Sequence, residues 1–567
     1  MKLRRWSGYG RSRRVSRFCS LFSIVLGGAA FLAASERGAF AQSPCERFDP
    51  GSTVSEPEDL YSTDGVLSVD FTYQTYQDGT GKTYFCFINS DGAESPTLHV
   101  RPGDVLKLKL TNLIPEQPGK VHGMPEMEMA RAGEGGCGAA SMTASSVNIH
   151  YHGTNTPPTC HQDEVIHTLI NSGETFQYEV HFPKDEPPGL YWYHPHIHGL
   201  TTAAVTGGAS GALVVEGIEN VNHRVAGLAQ RVLVVREEPT LTPPDDESAT
   251  NLSVNYVQIL GPDFLPAKIE MKPEEKQFWR VVNSAAHSIL DLQLQYDNIL
   301  QPIELIALDS VPLGSQDGSG RGKSQRLTHI LIPPAGRAEF IVKGPSSDVA
   351  DARLITEAVT TGPDGDLDPT RTLLSIQTSS AGARSSDITH VPTASGPRPA
   401  ERFAGLANVT PNRTRKLYFS EDETYFYITV NGQTPKPFSM DDPPSIVTTQ
   451  GSVEDWTIEN RAQENHEFHM HQIHFLALAR NGKALPPDEQ QFLDTINVPY
   501  WRGQGPYPSV TLRMDFRGPD VGDFVYHCHI LDHEDGGMMA IIRVLPKTSV
   551  SDLKSVKSTA AKKSTQR

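Results

Sequence analysis

Three similar segments recur along this chain and constrain its fold more than any other feature. They run from Pro96 to Asn112, from Pro266 to Asn283 and from Pro444 to Asn460. Each reads as a strand, a tight turn, a second strand and a final asparagine, and Val105 to Leu110 alternates with the period of a half-buried strand. The copies start about 170 to 180 residues apart, a span that suits β-sandwich domains. We therefore predict an all-β protein of three β-sandwich domains.

The composition between these copies predicts where the domains begin and end. Residues from Thr378 to Pro399 are rich in Ser, Ala and Gly and read as a linker. Residues 115–145 are Gly-rich and read as a long loop insertion, and the Lys, Ser and Thr of residues 549–567 predict a disordered tail. The predicted domains are residues 45–220, 221–385 and 386–548.

The first 41 residues have the pattern of an export signal. A basic start is followed by an uncharged stretch from Phe18 to Ala34 and by the small-residue cleavage pattern Ala39-Phe40-Ala41. The pair Arg13-Arg14 partly matches a twin-arginine signal. We predict an exported protein, periplasmic or secreted, with no membrane association once residues 1–41 are removed.

The charge of the chain bears on its partners. The net charge is −17, and the signal segment holds eight basic residues and one acidic residue, so the mature protein is more acidic still. So acidic a surface makes nucleic acid an improbable partner and suits small cations or neutral molecules. The excess of acidic residues can equally serve solubility alone, and the sequence leaves both interpretations open.

The segment from Tyr526 to Met538 carries three histidines, one cysteine and one methionine. Cys528, His533 five residues later and Met538 five residues further suit a blue-copper centre, which takes two His, one Cys and a weak axial Met. Neighbours on a strand point to opposite faces, so His527 and His529 point away from the metal that Cys528 faces. These two histidines are therefore predicted to bind other metals.

The same frame occurs once more, in the first domain. Gly189 to Ile197 mirrors Gly522 to Ile530, so that His194 matches His527, His196 matches His529, and Pro195 stands in place of Cys528. The first copy therefore keeps the outward imidazoles and lacks the thiolate. The middle domain has only His287 soon after its Asn283, and we predict that it carries no metal.

Six cysteines are present, and their distribution predicts two disulfides. Cys19 leaves with the signal segment and Cys528 belongs to the metal motif, so an even set of four remains in an exported protein. The pairing cannot be read from the sequence. Our hypothesis is that Cys45 pairs with Cys86 and that Cys137 pairs with Cys160.

Four histidine clusters occur in order along the chain. They are His150-x-His152, His194-x-His196-x-His198, His466-x-x-His469-x-His471 and the segment around Cys528. One such pair alone is more often exposed or structural, whereas four of them in two of three repeats indicate metal binding. In these motifs and their order the chain resembles the three-domain multicopper oxidases, the laccase-like family, from about Leu67 to Leu545.

This resemblance implies three cupredoxin-like Greek-key β-sandwich domains and four copper ions. The type 1 ligands would be His466, Cys528, His533 and Met538. The type 2 ligands would be His150 and His469, and the type 3 pair would be held by His152, His194, His196, His471, His527 and His529. His161, His198 and His474 would hydrogen-bond or pack nearby without binding copper. Glu467 stands where this family usually has proline, which alters the charge beside the type 1 site.

The resemblance also implies a reaction. Phenolic or aromatic donors would lose single electrons at the type 1 copper, and dioxygen would take up four electrons at the trinuclear cluster to give water. Glu534 and Asp163 are predicted as proton-relay carboxylates, with a solvated loop carboxylate an equal alternative for Asp163.

Three other functions are compared with the sequence. A cuprous or ferrous metallo-oxidase is the main alternative, because Met124, Met127, Met129 and Met142 cluster in the insertion and thioethers favour Cu(I). These methionines can equally be mere loop composition. A copper-binding or assembly protein without turnover would not need Cys528 as an electron path. A copper nitrite reductase normally lacks the trinuclear set of ligands.

Overall fold

The computed structural model describes residues 43–116, 137, 141–240, 249–315, 322–379 and 400–547. Several predicted segments lie outside these residues. They are the export signal, most of the 115–145 insertion with Met124, Met127 and Met129, nearly all of the linker after Thr378, and the C-terminal tail.

The described residues form six sheets in three pairs, each pair closing on an apolar core of its own. In the first pair, Phe71 and Leu108 of one sheet lie in the same buried cluster as Tyr191 and Leu213 of the other. The second and third pairs have equivalent clusters. We call these pairs the first, second and third sandwich. The prediction of an all-β protein of cupredoxin-like sandwiches is confirmed.

The first sandwich consists of the sheets β1-β4-β9-β8-β6 and β3-β2-β5-β7. Its strands are β1 (Asp59–Tyr61), β2 (Val66–Gln77), β3 (Thr83–Asn89), β4 (Thr97–Val100), β5 (Val105–Asn112), β6 (His150–His152), β7 (Thr175–His181), β8 (Gly189–His194) and β9 (Gly211–Val215). Two short helices are α1 (Thr201–Thr206) and α2 (Ile218–Val221).

The second sandwich consists of the sheets β12-β11-β10-β14-β21-β17-β18, joined by β19, and β13-β23-β22-β15-β16, joined by β20. Its strands are β10 (Ala229–Glu237), β11 (Leu252–Val254), β12 (Val257–Ile259), β13 (Ala267–Met271), β14 (Lys276–Ser284), β15 (Leu290–Tyr296), β16 (Ile299–Gln301), β17 (Ile303–Leu308), β18 (Val311–Pro312), β19 (Gln325–Leu327), β20 (Ile330–Ile332), β21 (Arg337–Lys343), β22 (Ala352–Glu357) and β23 (Arg371–Thr378).

The third sandwich consists of the sheets β25-β24-β27-β33-β29-β30, joined by β31, and β26-β35-β34-β28-β32. Its strands are β24 (Arg413–Glu421), β25 (Phe426–Val430), β26 (Ile446–Thr449), β27 (Val453–Asn460), β28 (His466–Met470), β29 (Phe475–Arg480), β30 (Lys483–Ala484), β31 (Phe492–Leu493), β32 (Thr495–Val498), β33 (Ser509–Asp515), β34 (Gly522–Cys528) and β35 (Met539–Leu545). A 3₁₀ turn (Leu406–Asn408) precedes it and helix α3 (Leu531–Asp535) follows β34.

The three sequence copies fold alike down to their last residue. Asn112 and Asn460 end the second strand of their copies, Asn283 is the last residue but one of β14, and all three are buried. In all three, the side-chain amide donates to two main-chain carbonyls and the amide oxygen accepts the N–H two residues later. The asparagine therefore satisfies the main chain where each strand leaves the sheet.

Each copy also turns through a left-handed residue. Gly103 (φ 93°) and Gly451 (φ 95°) supply this conformation without a Cβ penalty, whereas the second copy uses Glu274 (φ 62°). The repeat in sequence is thus a repeat in backbone conformation.

Two disulfides join Cys45 to Cys86 and Cys137 to Cys160, with Cα–Cα distances of 5.6 and 5.5 Å, so the predicted pairing is confirmed. Disulfides fit an oxidising compartment.

None of the helices in the described part of the chain is long and apolar enough to cross a membrane. The domain boundaries 45–220, 221–385 and 386–548 stay predictions; the strands of each sandwich fall between them.

Candidate metal centre

Because neighbouring residues of a strand point to opposite sides, the predicted ligands of the third sandwich lie on two faces of its sheet. His469 lies opposite His527 across β28 and β34, and Phe468 lies opposite Cys528. Because neighbours alternate, His466 shares the face of Phe468 and Cys528, while His469 and His527 share the other. One pair of strands therefore contributes side chains to two separate groups of predicted ligands.

On the first face, Cys528 meets two imidazoles in a buried pocket. Its Sγ lies 3.7 Å from His466 Nδ1 and 3.7 Å from His533 Nδ1, and the two nitrogens lie 3.1 Å apart. Met538 is buried beside them: its N–H donates to the His533 carbonyl, and its own carbonyl accepts from the Cys528 N–H. Helix α3 reverses the chain between Cys528 and Met538, so Met538 lies close to Cys528.

The first sandwich presents His150 and His152 on β6 and His194 at the end of β8, and His196 follows that strand. His150 lies opposite His194, and His152 lies opposite Trp192. The His194 ring stacks on Trp192 with a centroid distance of 4.1 Å. His150 and His152 are two apart on one strand, so their rings share a face and lie 5.4 Å apart.

Eight imidazoles, four from the first sandwich and four from the third, meet in one buried cluster. His527 Nε2 lies 3.3 Å from His196 Nε2 and 3.2 Å from His471 Nε2. A second group is formed by the rings of His152, His194 and His529, with centroids 5.0 to 5.8 Å apart.

The remaining two rings of the cluster, His150 and His469, have centroids 6.1 Å apart. The predicted type 2 and type 3 residues are therefore all brought together. Which copper each residue holds stays a prediction.

The two matching segments around His194 and His527 also form matching hydrogen bonds. His194 Nδ1 lies 2.8 Å from the carbonyl oxygen of Pro195, and His527 Nδ1 lies 2.8 Å from that of Cys528. Each ring thus donates from Nδ1 to the next residue's carbonyl, which turns Nε2 inward.

The ring nitrogens that face the cluster fit a metal. Among the described residues, several buried ring nitrogens have no hydrogen-bond partner: Nε2 of His150, His194 and His469, Nδ1 of His152 and His471, and both nitrogens of His529. Buried polar atoms are normally hydrogen-bonded, so ring nitrogens without a partner that converge from two sandwiches indicate a cation site. Imidazole nitrogens at one centre and a thiolate with two imidazoles at the other are donor sets that suit copper.

The pKa values favour neutral, metal-binding imidazoles. Burial lowers the pKa of all eight cluster histidines and of His466. His533 differs: burial opposes its charged form, but Asp532 and Glu464 raise its pKa. Its Nε2 lies 3.2 Å from Glu464 Oε1 and 4.0 Å from Asp532 Oδ1, so a carboxylate-rich surface surrounds the outer edge of the Cys528 centre.

Both predicted relay carboxylates are buried against the cluster. Asp163 lies 3.0 Å from His150 Nδ1, and Gln472 of the third sandwich donates to it at 2.5 Å. Glu534 lies 3.1 Å from His527 Nδ1 and 3.6 Å from His196 Nε2. Burial raises the pKa of both carboxyl groups. Their position is therefore suited to proton transfer, and their role stays a prediction.

Three histidines that were predicted to support the site without binding copper lie as follows. The His198 ring packs edge-on against Phe438, and His474 donates from Nε2 to the Asp309 carbonyl. His161 is exposed and stacks on Phe176. Met142 of the predicted methionine cluster is packed in an apolar cluster, which favours a core role for that one residue.

The sequence reasoning missed Asp494 and Arg337. Asp494 contacts the rings of His152 and His469, and Arg337 of the second sandwich holds its carboxylate. Neither residue belongs to a motif. Asp494 is separated from His152 by 342 positions, so no local signal could have found the pair.

Comparison with known proteins agrees with this geometry. Family profiles described as multicopper oxidase match residues 141–220 and 408–548. The multicopper oxidase mco of Staphylococcus haemolyticus is 24% identical over 462 residues, which cover 79% of this chain and 81% of that protein. The laccase of Bacillus subtilis is 23% identical over 431 residues, covering 69% and 78%.

Solved structures share the fold. A multicopper oxidase of Campylobacter jejuni described as a metallo-oxidase superposes with a TM-score of 0.63 at 21% identity, covering 88% of this chain and 96% of that one. The McoA multicopper oxidase of Aquifex aeolicus superposes with a TM-score of 0.61 at 19% identity, covering 87% and 99%.

Proposed function

This chain belongs to the laccase-like multicopper oxidases, and we propose that it couples one-electron oxidation of phenolic or aromatic donors to four-electron reduction of dioxygen to water. The observation that carries this proposal is the position of Cys528. Its sulfur belongs to the His466–His533 centre, and its two chain neighbours, His527 and His529, belong to the eight-imidazole cluster.

The proposed copper content follows from the two donor sets. One type 1 copper would be held by His466, Cys528, His533 and Met538, and three coppers would lie among the eight imidazoles. When bound, copper supplies the one-electron redox chemistry at the first centre and the dioxygen chemistry at the second. We further propose that the protein is exported, consistent with its two disulfides and with its N-terminal sequence.

The residues of this chain would divide the work as follows. Electrons from the donor would enter by way of His533, whose side chain is buried, so the donor would react from outside without entering the site. Cys528 joins that centre by its own main chain to His527 and His529. Four donors are oxidised for each dioxygen, and four protons must reach the cluster to make two waters.

Proton delivery would fall to the two buried carboxyl groups. Glu534 accepts a hydrogen bond from Thr201 at 3.3 Å and lies beside His527 and His196, so its carboxyl can hold a proton at the cluster. Asp163, in a turn between β6 and β7, lies beside His150 and accepts the N–H of Tyr151 at 2.9 Å. Both groups are buried, so bulk water does not reach them and protons would pass to the cluster through these carboxyl groups.

A second candidate function is oxidation of Cu(I) or Fe(II). The observation that favours it is the group of carboxylates around the Cys528 centre: Glu464 beside His533, and Glu421 with an oxygen 3.8 Å from His466 Nε2. Carboxylates at the donor's point of contact would attract a cation. The structural likeness to a protein described as a metallo-oxidase agrees with this candidate.

The test is dioxygen uptake by the copper-loaded protein with a diphenol, Fe(II) or Cu(I) as donor. Uptake of one dioxygen for every four Fe(II) or Cu(I) ions, or for every two diphenol molecules converted to quinone, supports the proposal, and the donor with the highest kcat/KM selects between the two candidates. A blue protein that consumes no dioxygen with any donor would instead indicate a copper-binding protein. If the carboxylates recruit cations, Glu464→Gln should raise KM for the metal ions and leave KM for the diphenol unchanged.

A further inference from the structure

Arg337 belongs to the second sandwich, which supplies none of the predicted copper ligands, yet its guanidinium contacts all three sandwiches. Nη1 and Nη2 donate to the two carboxylate oxygens of Asp494 at 2.7 and 2.5 Å. Nε donates to the Leu190 carbonyl of the first sandwich at 3.2 Å. The remaining two N–H groups donate to Ala335 O and Ser310 Oγ. All five donors of this buried side chain are therefore engaged.

Asp494, between β31 and β32, in turn contacts one imidazole from each ligand-bearing sandwich. Its Oδ1 lies 3.2 Å from His152 Nε2, and its main-chain carbonyl lies 2.8 Å from His469 Nδ1. The opposite nitrogens, His152 Nδ1 and His469 Nε2, are buried and have no hydrogen-bond partner within the described ranges. A ring that donates on one side presents its lone pair on the other, so Asp494 aims both rings at the cluster.

The surrounding chain is shaped to keep this contact close. Gly153 follows His152 with φ +84°, and a Cβ there would lie 2.4 Å from Arg337 Nη2 and 2.6 Å from Asp494 Oδ2. Asp309 of the second sandwich accepts the N–H groups of Arg337 at 2.9 Å and of Asp494 at 3.2 Å. The Arg337–Asp494 ion pair is thus held by hydrogen bonds to both its side chains and its main chain, next to the predicted copper ligand His152.

We propose that Arg337 is a positioning residue through which the second sandwich sets the trinuclear site: it fixes Asp494 so that His152 presents Nδ1, and His469 presents Nε2, to copper. The inference rests on the proposed function for the copper itself. A planar guanidinium can hold both carboxylate oxygens at once, whereas a lysine ammonium makes a point contact that leaves the carboxylate free to rotate. The substitution Arg337→Lys therefore keeps the charge and removes the orientation.

Arg402 offers a matched control. It is also a buried arginine that bridges sandwiches, with Asp185 of the first at 3.2 Å and Asp520 of the third at 2.7 Å. Neither of these contacts involves a predicted copper ligand. Arg402→Lys should therefore weaken the joint between sandwiches as Arg337→Lys does, without disturbing the rings.

The experiment is a chelator titration of copper-loaded wild-type protein and both variants. Copper per chain is measured by elemental analysis and type 1 occupancy by the blue absorbance, and thermal unfolding of each copper-free protein reports the structural cost. Arg337→Lys should bind the coppers outside the blue site about ten- to a hundredfold more weakly, the usual effect of losing a partner of a ligating histidine. Its blue absorbance should persist, and Arg402→Lys should retain copper like the wild type.

Equal copper retention by Arg337→Lys and the wild type would overturn this inference and leave the proposed function standing. So would a parallel loss of blue and other copper in both variants, which would reveal a merely structural role. A wild-type protein without copper beyond the blue site would overturn the proposed function and the inference together. If Arg337→Lys does not fold, Asp494→Asn must show the same selective loss, because an amide has one oxygen and cannot accept from both Nη1 and Nη2 of Arg337 as the carboxylate does; full retention there overturns the inference.

Discussion

The main-chain N–H of Glu467 donates to Cys528 Sγ at 3.3 Å, and this bond leads to a quantitative prediction. Reduction of a copper bound to Cys528 leaves more negative charge on the sulfur, so an N–H donor stabilises the reduced state and raises the reduction potential. Proline has no N–H, and the related family usually has proline at this position. Glu467→Pro should therefore lower the potential of the type 1 copper.

The size of the effect follows from the energy of one hydrogen bond. A net contribution of about 1 kcal/mol, felt chiefly in the reduced state, lowers a one-electron potential by about 40 mV, since about 1.4 kcal/mol corresponds to about 59 mV. Proline fits the backbone: His466 before it is in a strand, and the Glu467 carbonyl still accepts the His529 N–H at 2.8 Å.

Glu467→Ala is the matched control for this measurement. Both substitutions remove the buried carboxyl group and its hydrogen bond from Asn497 at 2.7 Å, but alanine keeps the main-chain N–H. Redox titration of the blue absorbance should therefore place the proline variant about 40 mV below the alanine variant. Equal potentials, or a higher potential for the proline variant, would refute the role assigned to this N–H.

Three further predictions concern the cluster and its surroundings. Cys528→Ser should abolish the blue band and nearly all dioxygen uptake while elemental analysis still finds the other three coppers, and loss of every copper would contradict two separable sites. Glu534→Gln should slow dioxygen reduction and keep the blue band; an unchanged rate at every pH would reject a role for this carboxyl in proton transfer. Gly153→Ala should cost well over 1 kcal/mol of unfolding free energy in the copper-free protein, because strain at φ +84° adds to a clash with Arg337. Gly92→Ala (φ +89°, open space) shares the strain alone, and an equal loss there would contradict the clash.

What the sequence predicted well is what repeats or alternates. The three copies ending in Asn112, Asn283 and Asn460 predicted the sandwiches, because each copy repeats the same turn and the same main-chain hydrogen bonds. The adjacent positions of His527, Cys528 and His529 predicted two faces, because a strand alternates with period two. These are local rules that hold wherever the strand pairs.

What the sequence could not predict depends on contacts between distant segments or on the main chain. Arg337 is one arginine at the start of an ordinary strand, and its importance arises from meeting Asp494, 157 positions later. The N–H of Glu467 is common to almost every residue type, so only the fold shows that it points at Cys528. Residue identity alone therefore predicted a set of ligands but not Arg337, Asp494 or the N–H of Glu467 beside them.

The division of the imidazoles between two sandwiches has a consequence for the order of events in the cell. His150, His152, His194 and His196 belong to a part of the chain that is synthesised long before His469, His471, His527 and His529. A chain in which only the first sandwich has folded therefore holds half of the predicted ligands. The cluster is complete only when the last strands dock against the first sandwich, so an unfinished chain would lack the site proposed for dioxygen reduction.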